Sequence, residues 1–228
     1  MSCGVAPGMN LTEQKVLIIG AGSGIGAQLA TDLAAAGAEV TLAGRRTSPA
    51  VDLRDEDSIR RLAAEVGPLD HLVSLAAAHA NGPVAELDRD AVHVAFDAKV
   101  IGPILLAKHF APQIRPGGSI LLFSGVAGWR PSPERVVMAT ANAAVAALAE
   151  ALAVELAPIR VNALSPGIID SGAWDGPGKE SFFEGVAAKN PARRVGQPAD
   201  VSAAAIAALS NPFITGTTLH VDGGGRLA

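Results

Sequence analysis

Glycine occupies every second position of Gly20-Ala21-Gly22-Ser23-Gly24-Ile25-Gly26. Without a Cβ in the way, main-chain N–H groups can close on an anion, and the Ala/Leu-rich stretch that follows reads as a helix whose first turn adds unpaired donors and a positive dipole end. A pyrophosphate suits such a loop; a Gly-rich turn in an ordinary β-α unit is the alternative. The apolar run Val16–Ile19 ahead of it reads as a strand, and a glycine loop between strand and helix is a far stronger signal than glycines alone. A second chemically able group is Lys99. Val92, Phe96, Lys99, Pro103, Leu106 and Phe110 step by four and three along one helical face, so a lysine interrupts an apolar stripe. Pro103 would kink that helix and free the carbonyl of residue 99, giving water a place to bind. A long stem that snorkels to the surface is the competing reading.

Elements must position these groups. Strands are expected at 16–19, 39–43, 50–53, 69–75, 118–123, 159–163 and 217–221, alternating with helices running to Gly37 and over 55–66, 88–110, 136–157 and 198–209. Apolar strands alternating with helices imply an α/β fold, a doubly wound parallel sheet covered on both faces. The second strand ends in Gly44-Arg45-Arg46. In a dinucleotide fold that end faces the adenosine ribose, where arginine matches a 2′-phosphate, so NADP(H) is favoured over NAD(H); a solvated arginine pair is the alternative. His79 and Asn81 follow the fourth expected strand, where substrate loops rise, although a loop histidine is ordinarily just solvated. Residues 167–196 break the rhythm and read as a lid bearing Trp174, Phe182 and Phe183, which either line a substrate pocket or pack the lid down. Trp129, Arg130 and Arg135 precede the 136–157 helix; an arginine there could meet an anionic substrate, with surface ion pairing the blander role.

Composition bounds the classes. The 228 residues suit one domain, taken as 14–228 behind a flexible leader at 1–13. With 18 Lys+Arg against 22 Asp+Glu and no basic run, nucleic acid is not an expected partner. Cys3 is the only cysteine, which excludes a disulfide framework and a cysteine metal site and points to the cytoplasm. No uncharged apolar run approaches membrane-spanning length, so no membrane role is expected. His71, His93, His109 and His220 show no metal-ligand spacing, and no metal is expected.

From Gln14 to the C-terminus these residues resemble the short-chain dehydrogenase/reductase family. Gly20-x-x-x-Gly24-x-Gly26 resembles its cofactor loop, although Ile19 stands where a threonine is usual. Asp52-Leu53 resembles the pair that reads the adenine ring, Arg160 to Ser171 the segment that holds the nicotinamide, and Val221-Asp222-Gly223-Gly224-Gly225 the terminal signature. The resemblance implies a seven-stranded Rossmann-type fold and a homodimer or homotetramer built on the two long helices. Together with the readings above it implies a nicotinamide cofactor bound by Gly20, Gly22, Ser23, Gly24, Ile25, Gly26, Arg45, Arg46, Asp52, Leu53, Ala76, Ala77, Asn142, Pro166, Gly167, Ile169 and Ser171.

The family's working set departs. By the resemblance, the usual Ser position falls at Gly125 with Ser124 beside it, the Tyr position at Met138, the Lys position at Asn142 and the Asn position at Lys99. The chain contains no tyrosine at all, so no shift of register supplies the usual phenol acid. Asn and Lys stand exchanged, which keeps one amide and one ammonium on opposite walls. The expected function is an atypical NADP(H)-dependent oxidoreductase acting on a small, largely apolar carbonyl compound. Ser124 would polarise the oxygen, Lys99 would supply the proton through water held by Asn142, and His79, Trp129, Trp174 and Phe182 would meet the substrate. The alternative is a catalytically inactive relative that keeps NADP(H) as a structural or sensing ligand. A dehalogenase or isomerase is weaker, since the cofactor glycines are kept and no base for proton transfer is evident.

Overall fold

Both faces of the sheet are covered by helices, which is why its strands are apolar runs rather than alternating ones. The computed structural model describes residues 11–22 and 24–228. Cys3, Ser23 and residues 1–10 of the expected leader lie outside the described residues. Chain order is β1 (Lys15–Ile19), α1 (Gly24–Ala35), β2 (Glu39–Ala43), α2 (Glu56–Val66), β3 (Leu69–Ser74), α3 (Arg89–Phe96), α4 (Gly102–Phe110), β4 (Ile114–Phe123), α5 (Val136–Glu155), β5 (Arg160–Pro166), α6 (Lys179–Lys189), α7 (Pro198–Ser210) and β6 (Thr218–Val221).

The strands pair in parallel in the order β2-β1-β3-β4-β5-β6. Leu17, Ile19 and Leu122 pack with Ile59, Leu106, Phe110 and Val145 under α2, α4 and α5. On the other face Ile18, Val73 and Leu121 pack with Leu29, Leu33, Val201 and Leu209 under α1 and α7. From β1 the chain moves outward to β2 and then returns to β3 on the far side of β1, so strand order reverses between β1 and β3. The crevice beyond their carboxyl ends is where such sheets bind ligands.

The described sheet has six strands, one fewer than the resemblance implies. Residues 50–53 touch it at a single bridge, Gly44 to Ala50. Beyond that bridge the Asp52 carboxylate accepts from the main-chain N–H of Arg54, and the Asp52 N–H donates to Ser58 Oγ, turning the chain toward α2, which Asp55 caps. Val51 and Leu53 are nonetheless buried, so their alternation reports a buried connection rather than a strand.

The helix expected over 88–110 is also divided. Residues Asp97–Ile101 form a π-turn in which the Gly102 N–H donates to Asp97 O. Proline has no N–H to return to the carbonyl four residues back, at Lys99, and the ladder absorbs one extra residue just before it. Two smaller differences follow. Leu11 is buried in the core, and the Glu13 N–H donates to Gly37 O, so residues 11–13 are tied down rather than loose. The segment 167–196, expected as a lid, contains a helix, α6, that its composition did not announce. By length and mean hydropathy (1.7) α5 could cross a bilayer, but here it is a core helix with Val137, Ala141, Val145 and Ala149 buried against the protein.

Candidate active site

The turn after β1 is built for close approach. Gly20 has φ +90°, and a Cβ there would lie 2.9 Å from Ala76 N; one on Gly24, φ +56°, would lie 2.7 Å from Ser171 O. A Cβ on Gly26 would meet Ala21 Cα at 2.6 Å, so this glycine lets α1 sit tightly on the end of β1. Gly22 by contrast faces open space, with nothing within 4 Å. The first turn of α1, which includes Ile25, carries no acidic residue, leaving its positive end free for an anion. A dinucleotide pyrophosphate fits this cradle.

The other expected cofactor residues ring the same crevice. Arg45 and Arg46 are exposed beyond β2, and neither forms an ion pair among the described residues. Asp52 is clamped by Arg54, with Nη2 2.6 Å from Oδ2 and Nε 3.0 Å from Oδ1, which holds its carboxyl at about 2. Arg54 was not among the expected site residues; the Asp52-x-Arg54 spacing was its only sequence signal. Ala76 and Ala77 follow β3, with Ala76 against Gly20. Pro166 ends β5, and a Cβ on Gly167 would lie 2.7 Å from Asp222 Cα. Ile169 is buried and bridges to Gly196, and Ser171 lies against Gly24.

Lys99 points inward. The π-turn carries it to the end of β4, where its Nζ donates to Phe123 O (2.9 Å) and Ser124 O (3.1 Å); the residue is 6% exposed. Burial pushes its pKa down to about 8. Ser124 Oγ donates to Asn142 O at 2.8 Å, so this hydroxyl hydrogen is committed to α5. Asn142 is 4% exposed, and its Oδ1 has no hydrogen-bond partner among the described residues. Gly125 leaves room for that side chain, since a Cβ there would sit 3.0 Å from Asn142 Nδ2. Met138 is buried one helical turn before Asn142. Lys99, Ser124 and Asn142 are therefore joined end to end, and the unpartnered amide oxygen is a ready acceptor for a hydroxyl.

The substrate-side residues separate into two groups. His79 is exposed on the loop after β3, and its pKa is lowered by burial of the ring and by the charges of Lys99 and Arg135. Trp129 stands edge-on to His220 with centroids 4.6 Å apart. Trp174 and Phe182 pack on each other at 4.9 Å, Phe182 contacts Phe183, and Lys179 bridges Asp170 and Asp175 at 2.7 Å each, so residues 170–183 have a small structure of their own.

Sequence and fold comparisons agree on kinship. A family model described as enoyl-(acyl carrier protein) reductase matches residues 20–225. A short-chain dehydrogenase/reductase from Stachybotrys chlorohalonatus is 33% identical over 248 residues, covering 94% of this chain and 97% of the relative. The cis-4-hydroxycyclohexanecarboxylate dehydrogenase of Sinomonas cyclohexanicum is 34% identical over 246 residues, covering 95% and 98%. A crystal structure of a small-chain dehydrogenase in complex with NADPH superposes with a TM-score of 0.89 at 35% identity, covering 95% of this chain and all of that one. By sequence and by fold over nearly its whole length, the chain belongs to the short-chain dehydrogenase/reductase family.

Proposed function

We propose that this protein is an NADP(H)-dependent oxidoreductase that reduces a small, largely apolar carbonyl compound, with Lys99 as proton donor in place of the tyrosine its sequence lacks. The observation that carries the reading is the buried Lys99 ammonium, held by two main-chain carbonyls beside Asn142. When bound, the nicotinamide supplies the hydride. The glycine loop and the start of α1 would hold the pyrophosphate, Arg45 and Arg46 the 2′-phosphate, and Asn142 Oδ1 a hydroxyl of cofactor or water. The NADPH complex of a similar enzyme supports this choice of cofactor.

An ammonium has three N–H donors. Two are fixed by Phe123 O and Ser124 O, which aims the third. Giving that proton to a carbonyl oxygen leaves an amine with two N–H groups, still held by the same two carbonyls. Ser124 acts on Asn142, whose position it fixes. Met138 adds an apolar wall and no proton.

The test is NADPH oxidation with a panel of diketones, quinones and cyclic ketones, Lys99→Met in parallel, and NADPH affinity titrated separately. We expect Lys99→Met to lower kcat by about 10² to 10⁴-fold, the range of a lost general acid, with NADPH affinity retained. Unchanged turnover in that variant would remove Lys99 from the mechanism. The second reading, a dinucleotide binder without turnover, draws on the commitment of the Ser124 hydroxyl and on Met138; tight NADPH binding with no oxidation across the panel would establish it.

A further inference from the structure

We propose that the substrate carries a carboxylate, held at the mouth of the site by Arg135 with His79 beside it, while Lys99 addresses its carbonyl. The proposal rests on the oxidoreductase reading for the place of the carbonyl and narrows the substrate to an apolar body with one acidic end.

The geometry comes from two segments far apart in sequence. The Gly82 N–H donates to Glu134 O at 2.9 Å, and Ala80 and Val137 are buried in one small apolar cluster with Ala95. These contacts pin the loop that bears His79 against the start of α5, where Arg135 is the half-buried residue preceding the first helical turn. Among the described residues, the Arg135 guanidinium has neither a hydrogen bond nor an ion pair, and the described ion pairs also leave out Lys99 and His79. Other arginines are engaged: Arg130, five residues before Arg135, donates to Gly225 O, Arg194 pairs with Asp200 and Arg226 with Asp222. Surface ion pairing, the blander role for this stretch, therefore does not describe Arg135.

The electrostatics agree. Besides burial, His79 is pushed down by Lys99 and by Arg135, and no acidic group acts on it in the opposite sense. The Lys99 and Arg135 charges thus bear on the same wall as the neutral His79 ring, in a chain whose formal charge is -4. A half-buried guanidinium without a protein acceptor is left facing solvent, and a carboxylate can accept two parallel N–H bonds from it. The first turn of α5 carries no acidic residue, and Glu134, directly before the arginine, is not paired with it among the described ion pairs.

The probes are two keto acids of different reach, phenylglyoxylate and 3-benzoylpropionate, each against its methyl ester. They are tested with the full-length protein and with Arg135→Gln by NADPH oxidation, and by calorimetry on the NADP-saturated protein. We expect at least one acid to exceed its ester about tenfold or more in kcat/KM, and Arg135→Gln to bring that acid-to-ester ratio close to one. Acids no better than their esters, or a ratio unmoved by Arg135→Gln, would overturn the proposal. If no compound is reduced, calorimetry decides. An acid that binds, and whose binding weakens in Arg135→Gln, upholds the carboxylate site while the oxidoreductase reading fails; no acid binding overturns the site itself.

Discussion

Lys99 is the residue whose direction the sequence announced and whose partners it did not. The four-and-three stepping places it on the inward face, but Phe123 and Ser124, 24 and 25 residues on, meet it only through the packing of α4 on β4. Those contacts have a consequence for pH. With its pKa lowered to about 8 by burial, Lys99 is protonated below that value and loses its proton above it. In the reduction direction kcat/KM is expected to be flat below about pH 7 and to fall about tenfold per unit above pH 8; alcohol oxidation, which needs the amine, should rise through the same value. A pH series of kcat/KM in both directions checks this, and a reduction rate that climbs through pH 8 would contradict Lys99 as the acid.

Two local structures each turn on a single residue. Gly102 closes the π-turn by donating to Asp97 O, and a Cβ there would lie 2.7 Å from that oxygen and 2.8 Å from Leu53 Cβ. Gly102→Ala must therefore displace either the turn that aims Lys99 or the Asp52-Leu53 segment. Overpacking of this kind costs about 1 to 3 kcal/mol, and we expect urea unfolding to show that loss together with a fall in kcat. A variant of wild-type stability and rate would show that the π-turn is tolerant. At the other side of the sheet the buried Arg160 caps the C-terminus of α7, its Nη1 donating to Ala208 O (2.7 Å) and Ile214 O (3.0 Å) and its Nη2 to Leu209 O (2.6 Å). Arg160→Met strands these carbonyls, and a loss of about 2 to 4 kcal/mol in urea unfolding is expected. The family resemblance covered Arg160, but the role as a helix cap needed the fold.

Across the whole molecule, one buried histidine ties the start of the chain to the middle of the sheet. His71 is 2% exposed, with Nε2 2.6 Å from Gln14 Oε1 and Nδ1 2.8 Å from Ser119 Oγ. An amide oxygen only accepts, so Nε2 carries the hydrogen and Nδ1 accepts from the serine. Burial, then the Arg160 charge, push this ring down to about 4. In the unfolded chain it titrates near 6.5, so between about pH 6.5 and 4 the unfolded state binds more protons and stability falls as pH falls, by about 3 kcal/mol over that window. The contribution is complete above about pH 6.5. Urea unfolding at several pH values should show this limb in the wild type and a flatter one in His71→Gln; equal slopes would assign acid sensitivity elsewhere.

Length, composition and local periodicity determined much of this protein on their own. Apolar runs placed the six strands to within a few residues, the alternating glycines marked the tight turn after β1, and a chain without tyrosine has no phenol acid of its own whatever its fold. These are properties of neighbours along the chain, set by backbone sterics and by the repeat of helix and strand. Only the tertiary structure decided that residues 50–53 leave the sheet, that the helix over 88–110 opens into a π-turn, that Arg54 clamps Asp52, and that Arg135 lies near His79 without an ion pair among the described residues. Each of these depends on which hydrogen-bond partner or charge lies nearest in space. Packing brings together residues dozens of positions apart, and no local pattern records that distance.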